Sequence, residues 1–243
     1  MRLRKLGSAI LVVLAVGAVI GSNASAAVTT GAAEWYTGAS PGTTLTGDQA
    51  ITASIGTHPG IGAKFRLISV IGIDIELTAT GVECIGCQIT NSAVTEKIPA
   101  VAIGKGKLKF TGVTADAPTG CTVRNENSSG QVGVVETKPL TVHADWMEES
   151  KAFQQWFPQS GTVFATFYVE GGGCAAITGS YNLKGTLFSE AKNATGVQAA
   201  VQEVVFSPAI QTTTGAELKI GTQRADLTGT IAFSIGGTAF GIH

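Results

Sequence analysis

The chain reads as an all-β protein, a two-sheet antiparallel sandwich with a β-barrel as the alternative, and three features of the sequence say so. Apolar and polar residues alternate with period two along most segments, clusters of Gly, Pro, Asn and Thr separate those segments, and only one stretch departs to helical spacing. Hydrophobic residues make up 44% of the 243 and charged residues only 14%, with 32 glycines. A chain of this composition can bury a sizeable core between short strands joined by tight turns.

In chain order the first element is not a strand. Arg2, Arg4 and Lys5 precede an apolar run from Ala9 to Ile20, and Ala24-Ser25-Ala26 supplies the small residues a signal peptidase needs. The run is shorter than the roughly 20 residues a helix needs to cross a hydrocarbon core. Residues 1–26 therefore read as an export signal cleaved after Ala26, followed by a single secreted β domain over 27–243 with no membrane span. Losing the three basic residues takes Lys and Arg from 16 to 13 against 17 acids, a net charge of −4. That balance lacks the basic surface on which affinity for a phosphate backbone depends, so no nucleic-acid partner is expected.

The first strand with a clear face covers 71–77. Ile71, Ile73, Ile75 and Leu77 point one way, while Asp74 and Glu76 point the other, as in a half-buried strand. Residues 105–110 repeat the pattern with Lys105, Lys107 and Lys109 opposite Leu108 and Phe110. Were these two strands neighbours, acids and lysines would pair across the ladder, each pair worth about 0.5 kcal/mol at a wet surface. Further strands are expected over 44–54, 132–144, 161–170, 177–188, 198–210, 217–220 and 226–234. One short helix is expected near 146–157. Asp145 can cap it, Glu148 follows three residues on as in a capping box, Trp146, Phe153 and Trp156 recur near helical spacing, and Pro158 stops it.

Four cysteines in an exported chain form an even set and read as two disulfides among Cys84, Cys87, Cys121 and Cys174. Of the three possible pairings, Cys84 with Cys87 across a Gly turn and Cys121 with Cys174 is preferred. The longer bridge would be worth roughly 4 kcal/mol in the chain-entropy account. A redox or zinc role for the CxxC is disfavoured, because there is no second CxxC or paired His, and the residues after Cys87 continue as strand rather than opening a helix.

Candidates for chemistry are few. Gly38-Ala39-Ser40-Pro41-Gly42 matches the pattern of a nucleophile elbow, but Pro41 has no N–H to donate to an oxyanion. His143 and Asp145 stand two apart and would share a strand face, with no activated Ser to complete a triad. Asp74 and Glu76, about 7 Å apart on one strand face, fall within the broad span of catalytic carboxylate pairs, a spacing that any half-wet strand can also show. Trp35 and Tyr36 are suited either to stacking on a sugar or to pinning an N-terminal strand to the sheet. No residue pattern calls for a metal or cofactor.

The words Leu77-Thr78-Ala79-Thr80-Gly81-Val82-Glu83-Cys84 and Gly104-Lys105-Gly106-Lys107-Leu108-Lys109-Phe110-Thr111-Gly112, with the stretch 161–181 around Cys174, resemble a group of exported β-rich bacterial proteins. The resemblance covers most of the mature chain. That group has no assigned activity, so the likeness implies secretion and a β fold and transfers no functional residue. The expectation is a non-catalytic binding or structural module, secreted or at the cell envelope, whose extracellular ligand is a glycan or a protein. The alternative is a secreted hydrolase acting on a polymer through Asp74 and Glu76, or through His143.

Overall fold

The computed structural model describes residues 33–39, 42–56, 65–70, 74–92, 102–148, 151–193 and 197–242. The expected signal segment with its cleavage site after Ala26, together with Ser40, Pro41, His58, Ile71, Ile73 and His243, lies outside them. In chain order the strands are β1 (Trp35–Thr37), β2 (Thr43–Thr44), β3 (Gln49–Ala50), β4 (Thr52–Ile55), β5 (Phe65–Val70), β6 (Asp74–Ala79), β7 (Gly81–Asn91), β8 (Ala102–Thr111), β9 (Thr114–Ala117), β10 (Thr122–Asn125), β11 (Val134–Glu136), β12 (Leu140–Glu148), β13 (Lys151–Pro158), β14 (Val163–Glu170), β15 (Gly179–Gly185), β16 (Leu187–Ala191), β17 (Val201–Phe206), β18 (Leu218–Ile220), β19 (Gln223–Ser234) and β20 (Phe240–Ile242). A 3-10 turn covers Gly172–Ile177, and one short helix, α1, covers Pro208–Thr214.

The pairing is antiparallel throughout and forms the expected sandwich rather than a closed barrel. One large sheet runs β7-β8-β12-β13-β16-β17-β19. β11 pairs with β8, and the short β3 and β4 pair with β7 and β19 respectively. The other large sheet runs β9-β6-β5-β19-β18-β15-β14-β10. A small third sheet, β2-β1-β20, packs at one end.

β19 belongs to both large sheets. Its residues 225–228 pair with β5, and from Gly229 onward it pairs with β17. β15 and β16 repeat the manoeuvre in one run of chain, serving opposite sheets on either side of Thr186. Gly185 makes that corner possible. Its φ of 117° lies where residues with a side chain are strained, and a Cβ there would stand 2.0 Å from the Glu217 carbonyl oxygen.

Period-two alternation fills the space between the sheets. On β6, Ile75 and Leu77 are buried while Asp74 is exposed and Glu76 half-buried. Phe164 and Phe167 enter from β14 and Phe206 from β17, each at most 2% exposed, and belong to one apolar cluster that spans both sheets. The facing acids and lysines expected of 71–77 and 105–110 are not neighbours, because β6 and β8 lie in different sheets. Lys105 instead pairs with Asp48 at 3.1 Å, and Lys109 with Glu83, directly across the ladder from it on β7, at 3.3 Å. Lys105 holds the Asp48 carboxyl below the usual carboxylate range, and Lys138 does the same for Glu126.

The helix expected near 146–157 is a correction: that stretch is the β12–β13 hairpin, with Val142 opposite Trp156 and Ala144 opposite Gln154. The misreading has a physical cause. Phe153 and Trp156 are three residues apart and sit on opposite faces of β13, yet both are buried, Trp156 in the interior and Phe153 beneath α1 with Phe188 and Ile210. A strand covered on both faces in this way imitates a helical stripe. The true helix sits where strand 198–210 was expected to end. Ser207 caps it by accepting from the Ile210 N–H, Pro208 opens it, and Gly215 ends it with φ 69°.

Gly185→Ala is expected to destabilise the fold by at least about 2 kcal/mol, since positive φ and a backbone clash add. A urea melt of the variant checks this, and an unchanged midpoint would remove the corner from the account.

Candidate functional site

The residues that the sequence put forward for hydrolysis are not assembled. Asp74 and Glu76 lie on β6 in one sheet, and His143 lies on β12 in the other, where its ring meets Phe157 edge-on at 4.9 Å. Neither of the two principal cavities is lined by any of the three. Among the described residues no three His, Cys, Asp or Glu side chains stand close enough to share a metal ion.

Trp35 is a strand pin and not a surface platform. It is 5% exposed, its indole N–H donates to the Ile103 carbonyl at 3.2 Å, and its ring lies 6.2 Å from Phe240. Asn91 holds the same strand from the side, its Oδ1 accepting from the Trp35 N–H at 2.7 Å and its Nδ2 donating to the carbonyls of Trp35 and Leu45. Tyr36 is half-buried, with its hydroxyl 3.3 Å from Glu34.

Two cavities of about 40 Å³ each lie among the described residues. The first lies beneath the sheet formed by β7, β8, β12, β13, β17 and β19, walled by Leu108, Leu140, Trp156, Val204 and Phe233. Trp156 is the anchor of this wall, stacked on Phe233 at 6.0 Å and tilted against Phe206 at 5.5 Å. The second is walled by Leu77, Phe110, Phe164, Phe167 and Leu183 among others, all apolar. Each has room for a few water molecules, well below the several hundred cubic ångströms typical of a site that engulfs a large ligand.

The first cavity differs in kind as well as in place. Gln154 and Gln202 line it, both more than nine-tenths buried. Gln202 is fully engaged, its Nε2 donating to the carbonyls of Phe240 and Val197 and its Oε1 accepting from Asn193. Gln154 is not. The Trp156 indole N–H donates to Ser189 Oγ at 2.8 Å, and that hydroxyl, directly across the ladder from Gln154, donates to Gln154 Oε1 at 3.5 Å. The longer contact places the Gln154 amide oxygen, rather than the amide nitrogen, on the Ser189 side. Among the described residues no acceptor meets that nitrogen.

The Cys84–Cys87 disulfide forms part of the same wall. Cys84 stands opposite Leu108 in register and Ile85, 42% exposed, opposite Lys107, after which Gly86 and Cys87 together face the single residue Gly106, a bulge of one extra residue. Gly106 gives the bridge its room, since a Cβ there would come within 2.5 Å of Cys87 Sγ. Alternation turns Lys105 and Lys107 to the outer face of β8, so they line the cavity through their main chain. The second bridge, Cys121–Cys174, ties the chain before β10 to the 3-10 turn after β14, and no cysteine is free. Gln154 escapes the sequence reading because 146–157 has the spacing of a helix, and Ser189 because it lies just past the strand expected over 177–188. Read as a strand, Ala152, Gln154 and Trp156 fall on one inward face, and a Gln among them is the signal.

Set against protein-family models, curated proteins and solved structures, the chain matches none.

Ser189→Ala should cost about 1–3 kcal/mol by leaving the Trp156 indole N–H without an acceptor. Chemical denaturation followed by Trp fluorescence reads the loss, and a variant as stable as the parent would show that the relay is not formed.

Proposed function

We propose that the chain is exported and acts as a non-catalytic binding or structural module outside the cytoplasm, as the likeness to exported β-rich bacterial proteins implies. The observation that carries this reading is the use of all four cysteines in two pairs, with Cα separations of 5.5 and 5.4 Å. Disulfides persist in oxidising surroundings, and an unmodified cytosolic pool would reduce them. The positively charged, apolar start of the sequence ending in Ala24-Ser25-Ala26 supports the same destination. Among the described residues no helix is long and apolar enough to cross a membrane. Asp74 and Glu76 share a face of β6 and His143 lies on β12, and none of them lines either cavity, which favours binding over turnover.

The expected product of export begins at Ala27 and carries no thiol that reacts with iodoacetamide under denaturing conditions. Intact mass and N-terminal sequencing of exported material check both, and four alkylated cysteines would overturn the reading.

A further inference from the structure

We propose that the edge of β16 beneath α1 is a docking site for a short extended peptide segment with an apolar side chain, and that α1 occupies this site in the free protein. The proposal rests on the reading of the chain as a binding module and names the chemistry of its partner. Strand β17 leaves the sheet at Ser207, where Pro208 has no N–H with which to continue a ladder. Carrying the pairs Glu190–Val205 and Ala191–Val204 two residues further would set Ser207 opposite Phe188. The chain turns into α1 instead, and a side chain takes over. The Phe188 N–H donates to Gln211 Oε1 at 2.9 Å, and the Phe188 carbonyl accepts from Gln211 Nε2 at 2.7 Å. A carboxamide carries the same donor and acceptor as a main-chain peptide group. Gln211 therefore stands in for the peptide group of a pairing strand, and Ile210 beside it packs an apolar side chain on Phe153 and Phe188. An extended segment with an apolar residue supplies both contacts at once.

The helix is held by what it docks on rather than by its own sequence. Seven residues are too few to stay helical alone in water, and Thr212, Thr213 and Thr214 are β-branched residues of low helix propensity. Each of their hydroxyls donates to the carbonyl four residues back, at 2.9, 3.0 and 2.9 Å, a bond that adds nothing to helix stability. The attachment itself is small. Phe153, Phe188 and Ile210, with Ala216 against them, form a cluster separate from the main interior. Outside it, the exposed Arg224 reaches the Pro208 carbonyl at 3.5 Å and Thr212 Oγ1 at 3.3 Å through Nη2. Ser207 is extended and Gly215 is left-handed, so both ends of the segment already depart from the helix. Opening bares two phenylalanine rings together with one N–H and one C=O, the groups that a peptide strand satisfies.

The test uses the oxidised mature protein labelled with 15N and, as the probe, the capped pentapeptide acetyl-Thr-Val-Lys-Val-Thr-amide. Native-state hydrogen exchange should show the amides of α1 and of Phe188 opening together, at a free energy well below that of the β13 and β17 amides. Titration should move the Phe188 amide resonance saturably. Gln211→Leu, of similar volume, removes the competing carboxamide and should tighten peptide binding about tenfold. Arg224→Ala, a change at an exposed residue, should act in the same direction and covers the case in which Gln211→Leu does not fold. The same peptide with every residue N-methylated has no N–H to donate and should not bind. Exchange of Phe188 only through global unfolding, affinity unchanged in the folded variants, or equal binding of the N-methylated peptide would each overturn the site. A glycan array that finds a partner while Phe188 stays silent would leave the binding module standing and remove only this inference.

Discussion

A strand with one apolar face must bury it against another layer, and here two layers draw on the same strand. β19 pairs with β5 and β18 over its first half and with β17 and β4 over its second, so neither sheet is complete without a segment of chain that the other also uses. The β15–β16 corner repeats the arrangement earlier in the chain. Because the sheets share strands, their inner faces meet as one continuous interior, and Phe167 on one side and Ile231 on the other belong to the same cluster. Elements added later in the hierarchy depend on that frame: α1 covers the outer face at Phe153, and Asn91 clamps β1 across the end.

The disulfides have different tasks within this frame. Cys121–Cys174 closes a separation of 53 residues and locks the loops at the end where β10 pairs with β14, Thr122 opposite Glu170. In the chain-entropy account its effect falls mainly on the unfolded state. Cys84–Cys87 spans three residues and does little to the unfolded chain. Its consequence is local: it holds a bulge in β7, and together with Gly106 it shapes one wall of the cavity that contains Gln154.

Much of the fold was legible because period-two alternation reports a half-buried strand directly. Ile75 and Leu77 against Asp74, and Leu108 and Phe110 against three lysines, fall in the structure where alternation puts them. The failures occurred where both faces of a strand are covered. The aromatics of β13 looked helical because α1 buries Phe153 from outside while the sheet interior buries Trp156. The same α1 was missed although Ser207-Pro208 and Gly215 mark its two ends, because the apolar run of β17 leads straight into it. Which strands neighbour one another was not legible, so the charge pairs of Lys105 and Lys109 were assigned to the wrong carboxylates. Gln154 became visible as a residue of the cavity wall only once its strand, its register partner Ser189 and the Trp156 relay were placed together.

The central claim is that two sheets sharing β19 form one cooperative unit. Native-state hydrogen exchange on the oxidised protein tests it most directly, by comparing amides of β19 before Gly229 with those after it. The account predicts that both groups exchange only through global unfolding, with the same free energy and the same response to denaturant. Two well-separated free energies, one for the half paired with β5 and another for the half paired with β17, would contradict it.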